Sequence, residues 1–303
     1  MEEFKPTHIP VLPKEILEYF GQIENQENPI FLDGTAGEGG HSELILKEFQ
    51  SAKLVLNDRD SIMLARATER LSAFQGRFYP LEGNFSEVDA TDLEERTGKG
   101  KVDGILLDLG ISTFHLTSSE RGFSFKNEEY LDMRLDETGK LTAYDVLNKY
   151  KAEKLSQIFR EYGEENWTKK IVEKILLVRK KNPIRTTLDL AKLVESVIPR
   201  KFWPDKTHPS FRVFQAVRIE VNNELGHIKD GIENLTNLLE KGGILCVISF
   251  HSLEDRIVKQ VFREKSKDEM FSILTKKPIT PSEEEMKINP SSRSAKLRVL
   301  KAL

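Results

Sequence analysis

Short apolar runs alternate with amphipathic segments along the first third of the chain. The apolar runs predict strands at 30–33, 54–57, 77–81 and 102–108. Between the first three strands, apolar residues recur at helical spacing and predict helices at 42–49 and 61–74. Alternating strands and helices indicate a parallel sheet, and the ligands of such sheets lie at the carboxyl ends of the strands.

The alternation of strands and helices stops after Ser112. Four helices are predicted in the middle of the chain, at 142–148, 152–162, 167–181 and 187–198, and Thr142 and Thr187 stand where N-caps belong. The strand–helix pattern then returns, with a helix over 211–239 that breaks near Gly226 or Gly231, a strand at 244–250, a helix at 251–262 and a last strand at 296–300. We therefore expect an α/β fold, in which 1–111 and 208–303 form a doubly wound, mostly parallel sheet and 112–207 form an inserted helical domain.

Composition narrows the class of protein. The chain has 303 residues, of which 31% are charged and 38% hydrophobic, as in ordinary globular proteins. The single cysteine, Cys246, excludes an intramolecular disulfide and a metal site built from several cysteines. The first residues lack the features of a secretory leader, and no apolar run reaches membrane-spanning length. We expect a cytoplasmic protein that requires neither a metal nor a membrane.

The first strand runs into a glycine-rich turn at 33–42 (DGTAGEGGHS). Clustered glycines after a buried strand favour a turn that brings the backbone close to a ligand and opens a helix. The spacing differs from the G-x-G-x-x-G of dinucleotide sites, and the acids Asp33 and Glu38 would repel a pyrophosphate. S-adenosylmethionine carries an ammonium and a sulfonium instead, so we expect this cofactor, with Asp58 accepting from its ribose hydroxyls. A plain structural turn is the alternative.

Seven ordered motifs together resemble the RsmH (MraW) family of bacterial methyltransferases. They are 33–42 (DGTAGEGGHS), 57–60 (NDRD), 103–110 (DGILLDLG), 120–125 (ERGFSF), 131–134 (LDMR), 214–222 (FQAVRIEVN) and 249–256 (SFHSLEDR). The resemblance spans nearly the whole chain and implies a Rossmann-like class I methyltransferase fold. It also implies that S-adenosylmethionine methylates the N4 amine of a cytidine in 16S rRNA, in the decoding region of the small ribosomal subunit.

The resemblance also assigns cofactor contacts. It implies that the methionine end lies against the glycine turn, the ribose at the second strand end, the adenine beside a phenylalanine, and an acid at the end of the fourth strand. The positions are Gly37, Gly39, Gly40, His41, Asp58, Phe85 and Asp108. The family usually shows Ser-Ser-Pro-Gln-Leu where this chain has STFHL at 112–116, so the contact expected from that glutamine falls on His115.

Cytidine N4 is a poor nucleophile, because its lone pair is delocalised into the ring. We hypothesise that Asp108 and the backbone carbonyls after it accept hydrogen bonds from the amine, with Phe123 or Phe125 against the base. A strand-end acid that caps the next turn is the alternative for Asp108. The candidate substrate contacts are Ser112, Arg121, Phe123, Arg134, Lys169, Lys170, Arg218 and His251. The alternatives are that the arginines form internal salt bridges and that the histidine has a structural role.

Charge is distributed unevenly along the chain. The formal net charge is −3, yet residues 112–207 carry 19 Lys and Arg against 15 Asp and Glu. Within this segment, 167–185 has seven basic residues against the single acid Glu173, and Arg200, Lys201 and Lys206 extend the charge. We expect a substrate-recognition domain that contacts phosphates, rather than a merely solvated face.

The expected partner is therefore 16S rRNA or the 30S subunit, and a homodimer is left open. Three rival interpretations stand beside this one. They are a methyltransferase acting on another nucleic-acid amine or on a protein, an NAD-dependent oxidoreductase, and a non-catalytic RNA-binding protein.

Overall fold

A computed structural model describes residues 9–205 and 207–303, with the side chain of Asp268 left undescribed. Lys206, which extends the predicted basic surface, lies outside the described residues. Within the described part, seven strands form one sheet in the order β3-β2-β1-β4-β5-β7-β6. The strands are β1 (Ile30–Asp33), β2 (Lys53–Asp58), β3 (Phe78–Glu82), β4 (Val102–Asp108), β5 (Leu239–Ser249), β6 (Phe271–Ile273) and β7 (Lys296–Ala302).

Helices connect these strands. In chain order they are α1 (Pro13–Phe20), α2 (Gly40–Glu48), α3 (Ser61–Arg70), α4 (Ala90–Thr97), α5 (Thr113–Thr117), α6 (Ala143–Lys149), α7 (Ala152–Glu161), α8 (Thr168–Arg179), α9 (Thr187–Val197), α10 (Phe211–Asn222), α11 (Glu224–Leu235), α12 (Ser252–Lys265) and α13 (Glu283–Ile288). Strands β1 to β5 pair in parallel, and β7 pairs antiparallel with both β5 and β6. The predicted fold class, a mostly parallel α/β sheet, is confirmed.

The sheet is covered by helices on both faces. Ile105 and Leu107 of β4 belong to one apolar cluster, together with residues of α11, whereas Leu106 belongs to another, together with residues of α1 and α2. Successive side chains of a strand point to opposite faces, so both faces of β4 are buried. Because both faces are buried, the sequences of the central strands are continuous apolar runs.

The chain divides into two compact units. The first comprises the residues up to Ser112 together with Leu225–Leu303, and the second is Thr113–Glu224. The structure groups α10 with the second unit because α10 packs against α6 and α7, whereas the sequence analysis ended the insert at residue 207. No helix in the described part of the chain is long and apolar enough to cross a membrane.

Two local predictions in the second half of the chain are wrong. Thr186, and not Thr187, is the N-cap of α9, because its side chain accepts from the backbone N–H of Asp189 in a capping box. The predicted helix over 211–239 breaks at Asn223, which adopts a left-handed φ of 46°, and not at a glycine. Asparagine tolerates this conformation better than most residues.

Candidate active site

Three aspartates end neighbouring strands of the first unit. Asp33, Asp58 and Asp108 are the last residues of β1, β2 and β4. Strand β1 lies between β2 and β4 and is parallel to both, with Asp33 opposite Leu56 on one side and Leu106 on the other. The carboxyl ends of parallel strands meet at one edge, so these three acids share the edge where ligands bind in this architecture.

Asp33 holds the start of the glycine turn. Its carboxylate accepts from Ser42 Oγ at 2.6 Å and from the Thr35 backbone N–H at 3.2 Å. The side chain is buried, and burial raises the pKa of Asp33 to about 6, although these two hydrogen bonds and the nearby His41 lower it. Asp33 therefore ties the turn to the first residues of α2.

The glycine turn is clamped against β2 and α3. Gly37 adopts φ +53°, and its N–H donates to Asp58 Oδ2 at 2.8 Å. Gly39 adopts φ +75°, and a Cβ there would lie 3.2 Å from the Cα and Cβ of Ala67. Both positions require the conformational freedom of glycine, and Gly39 also needs the space. The turn is therefore fixed close to Asp58, and the contact of Asp58 with the ribose stays a prediction.

Glu38 is paired with Arg66, a contact that the spacing of the sequence does not indicate. Its carboxylate is buried and accepts from Arg66 Nε at 3.1 Å and from Arg66 Nη2 at 2.8 Å. The guanidinium on α3 offsets the charge of Glu38. The acidic character that favours a cationic cofactor therefore rests on the strand-end aspartates and not on Glu38.

His41 and Asp108 place unpaired polar atoms at the strand edge. His41, the second residue of α2, is buried, and its Nε2 lies 3.5 Å from Asp108 Oδ2. Neither His41 Nε2 nor Asp108 Oδ1 has a hydrogen-bond partner among the described residues. The strand end itself is fixed, because the Asp108 backbone N–H donates to Thr35 Oγ1 at 2.6 Å. Buried polar atoms without partners at a ligand-binding edge indicate that a ligand supplies the missing bonds.

These residues fit S-adenosylmethionine. The turn offers close backbone approach through Gly37 and Gly39, and Asp58 lies beside it. The unpaired Asp108 Oδ1 is a carboxylate oxygen, which suits a cationic ligand better than a phosphate. The cofactor would be held by these residues together with His41.

Phe85, the predicted neighbour of the adenine, lies three residues after the end of β3. Its ring packs so closely against α11 that a Cβ at Gly231 would stand 2.3 Å from Phe85 Cε2. The next residue, Ser86, contacts His227 Nδ1 of the same helix at 3.1 Å. The ring is therefore fixed by α11, and its contact with adenine stays a prediction.

Several predicted contacts lie around the beginning of the second unit. Ser112, the last residue before it, places its Oγ 3.4 Å from Met63 Sδ. His115 and Phe123 are buried, with ring centroids 5.4 Å apart. Phe125 stacks on His208 at 4.5 Å. The cofactor role of His115 and the substrate roles of Ser112 and Phe123 stay predictions.

The three predicted arginines have internal partners. Arg134 donates to both carboxylate oxygens of Asp132, at 2.8 and 2.7 Å, and Arg218 donates to both oxygens of Glu224, at 2.8 and 2.9 Å. Arg121 is buried and donates to the Leu135 carbonyl at 3.2 Å. These contacts favour the structural alternative, and a role in substrate binding stays a prediction.

His251 also has a structural partner. It is the N-cap of α12, where its Nδ1 accepts from the Glu254 backbone N–H at 3.4 Å. The Glu254 carboxylate accepts in return from the His251 backbone N–H at 3.1 Å. This capping box accounts for the histidine at the end of β5, and contact with substrate stays a prediction.

Most of the predicted basic surface is exposed. The exposed cations of this region are Lys169, Lys170, Lys180, Lys181, Arg185, Arg200 and Lys201. Arg179 is different, because it donates to the carbonyls of Leu147 and Tyr150, both at 2.7 Å, and so closes the end of α6. Its guanidinium is used inside the second unit, so the charged surface is formed by the exposed cations and not by Arg179.

Two positioning residues carried no sequence signal of their own. Thr35 holds the Asp108 backbone through a side-chain hydroxyl, and Arg66 pairs with Glu38 across 28 residues. Neither contact follows from periodicity or spacing, because each depends on how separate elements meet in the fold.

Known proteins resemble this chain along almost its whole length. A model of the MraW methylase family matches residues 5–303. A Leptospira interrogans (strain Fiocruz L1-130) protein named ribosomal RNA small subunit methyltransferase H is 55% identical over 298 residues, which cover 98% of this chain and 89% of that protein. Persephonella marina has a protein of the same name that is 48% identical over 296 residues, covering 98% of this chain and 99% of that protein. Both compact units fall within these matches.

Proposed function

Because the chain belongs to the MraW methylase family, we propose that it transfers a methyl group from S-adenosylmethionine to ribosomal RNA of the small subunit. The acceptor in this proposal is the exocyclic N4 amine of a cytidine in the decoding region of 16S rRNA. Relatives at 55% and 48% identity are named as small-subunit ribosomal RNA methyltransferases, which supports the choice of RNA.

The observation that carries the proposal is the arrangement of His41 and Asp108. Two acid–base side chains lie 3.5 Å apart beside a glycine turn, and each keeps a polar atom without a partner among the described residues. Such atoms cost free energy unless a ligand pairs with them. A methyl donor at the turn and an amine at the strand end would supply those bonds together.

The chemistry that S-adenosylmethionine supplies when bound is an activated methyl group on a sulfonium. The chain must hold the amine in line with that group and favour the geometry that frees its lone pair. Asp108 does this by accepting an amine hydrogen through Oδ1, while Thr35 keeps the strand end in place. The His41 ring beside the carboxylate limits how Asp108 can turn.

RNA binding is assigned to the second unit in this proposal. Its surface carries exposed lysines, including Lys169 and Lys170, which would contact phosphates without reading sequence. The acceptor base lies within folded RNA and must be presented unstacked. The first unit then performs the chemistry, and the second contributes affinity for the RNA.

The test is mass mapping of 16S rRNA from a strain that lacks this gene. We expect one N4-methyl group on cytidine to be absent and to return when the gene is restored, but not when the restored gene carries Asp108→Ala. Methylation that is unaffected by the deletion would reject the proposal. Incubating purified protein with naked rRNA and with 30S subunits would then identify the form of the substrate.

A cheaper measurement separates the rival interpretations. Stabilisation against thermal unfolding by S-adenosylhomocysteine but not by NAD would exclude an oxidoreductase. A protein that binds S-adenosylhomocysteine and methylates another nucleic acid or a protein, but not rRNA, would favour the alternative substrate classes.

A further inference from the structure

An exposed aromatic pair stands out on the second unit. Phe202 is 54% exposed, and its ring centroid lies 5.4 Å from that of Trp167, with the rings tilted by 50°. Lys170 Nζ lies 5.0 Å from the centroid of Trp167, and Lys201 Nζ lies 5.0 Å from the centroid of Phe202. These four residues are called the aromatic platform below.

Core packing does not account for Phe202. Its neighbour Trp203 is anchored, because the indole N–H donates to the Ile198 carbonyl at 2.8 Å. Phe202 instead leaves more than half of its surface exposed. A large aromatic side chain exposed beside cations is an arrangement that favours ligand binding over stability.

The charges around the aromatic platform suit a polyanion. Within 164–170 and 200–205, the exposed cations are Lys169, Lys170, Arg200 and Lys201, and the exposed acids are Glu164 and Asp205. Glu165 does not add to the surface charge, because it is buried and accepts from the Trp167 backbone N–H at 2.7 Å. Aromatic rings interleaved with lysines are typical of surfaces that bind single-stranded nucleic acid.

We propose that the aromatic platform binds an unpaired nucleotide of the RNA substrate, with the base stacked on Phe202. Lys170 and Lys201 leave the faces of the rings and pair with the phosphates on either side of that nucleotide. This inference rests on the proposed function for the nature of the substrate. Stacking on a phenyl ring is tolerant of base identity, so the platform contributes affinity and not sequence specificity.

The experiment compares Phe202→Ala with a matched control, Tyr130→Ala. Tyr130 is 51% exposed in the same unit, and its ring also lies against another aromatic, Tyr144, at 5.8 Å. Its surroundings differ, because burial, Tyr144 and the carboxylates Asp145 and Asp132 raise the pKa of Tyr130, while Arg185 lowers it. The two variants therefore remove similarly exposed rings, one with Lys201 over its face and the other near Asp145, Asp132 and Arg185.

The probe is a single-stranded oligoribonucleotide of about 12 nucleotides and mixed sequence, a length that single-strand sites accommodate. We expect Phe202→Ala to weaken its Kd about 5- to 100-fold, Phe202→Tyr to restore it, and Tyr130→Ala to leave it unchanged. In a Trp203→Phe background, Trp167 is the remaining tryptophan, and we expect its fluorescence to be quenched as the oligonucleotide saturates.

Either of two results would overturn the aromatic platform. One is a Kd for Phe202→Ala equal to that of the unmodified protein, and the other is equal weakening by Phe202→Ala and Tyr130→Ala. Failure of the proposed function gives a different result, because the unmodified protein would then bind the oligonucleotide through Phe202 without methylating rRNA. Unchanged thermal unfolding of Phe202→Ala, expected for an exposed residue, confirms that folding is intact.

Discussion

The His41 imidazole and the Asp108 carboxylate lie side by side at the carboxyl edge of the sheet, with 3.5 Å between His41 Nε2 and Asp108 Oδ2. One belongs to the first turn of α2 and the other ends β4. Because the strand end is held by Thr35 Oγ1, the backbone that carries the carboxylate is fixed before any ligand arrives. Preorganisation of this kind makes an acceptor effective in catalysis.

Asp108→Asn tests the acceptor. We expect the single-turnover rate of methyl transfer at saturating S-adenosylmethionine to fall about 100-fold, because a charged acceptor becomes an amide of the same shape. The control is Asp103→Asn in the same strand, where the carboxylate accepts from the Ile30 backbone N–H at 2.8 Å. That control should lower stability and leave the rate per folded molecule unchanged. If the rate of Asp108→Asn is close to that of the unmodified protein, Asp108 is not the acceptor in methyl transfer.

The Glu38–Arg66 pair yields a prediction about stability. Arg66→Ala removes the guanidinium that donates twice to the buried Glu38 carboxylate, and we expect a loss of about 3 kcal/mol in the free energy of unfolding. The double variant Glu38→Gln with Arg66→Ala should recover most of that loss, because no buried charge then stands alone, and Glu38→Gln is the second single variant. Denaturant unfolding of the single and double variants measures the coupling. A double variant destabilised by the sum of the costs of the two single variants would mean that the pair does not act as a unit.

Much of the first unit is predictable because its signals are local. The apolar runs that form β1, β2 and β4 are buried on both faces, and the glycine turn begins within two residues of Asp33. Short elements were not predicted from the sequence. Helix α4 has only Leu93 and Thr97 buried among its eight residues, and β6 is three residues long. Neither element has enough regularly spaced apolar residues for periodicity to predict a helix or a strand.

Side-chain pairings were the least predictable part of the site. Arg134 pairs with a carboxylate two residues away, while Arg66 pairs with one 28 residues away. Sequence alone left a substrate contact and an internal salt bridge open for Arg134 and carried no signal for Arg66, because it does not say which carboxylates the fold brings near. The same holds for Arg179, which counts as part of a basic face in the sequence but closes the end of α6 in the structure.

The lysine surface of the second unit predicts a salt effect. Changing Lys169, Lys170, Lys180 and Lys181 to Gln should weaken RNA binding. The slope of log Kd against log salt concentration should fall by about 1 for each phosphate that is no longer neutralised, which gives a fall of up to about 4 for the four lysines. The matched control is Arg179→Gln, which removes a cation whose guanidinium is already used by two carbonyls. It should lower the melting temperature and leave the salt slope unchanged. A slope that the four lysine changes do not alter would place the RNA elsewhere.

Asp33 gives stability a pH dependence that can be assigned to one residue. Burial raises the pKa of Asp33 from 3.8 to about 6 in the folded protein, so the folded state holds this proton more tightly than the unfolded state does. The contribution of Asp33 to stability is therefore present below pH 4 and is lost as the pH rises through 6, by about 3 kcal/mol in total. Asp33→Asn cannot titrate, and the loss should vanish with it.

The measurement is the free energy of unfolding of both proteins in a denaturant series from pH 4 to pH 8. Asp33→Asn also perturbs the hydrogen bonds from Ser42 and Thr35, which shifts its stability by a constant amount. The pH-dependent part of the difference reports the titration of Asp33 together with its coupling to His41 and Asp108. The unmodified protein should lose stability relative to Asp33→Asn between pH 4 and pH 7, and the difference should then level off. A difference that stays constant, or that grows in favour of the unmodified protein as the pH rises, would show that Asp33 is ionised in the folded state well below pH 6.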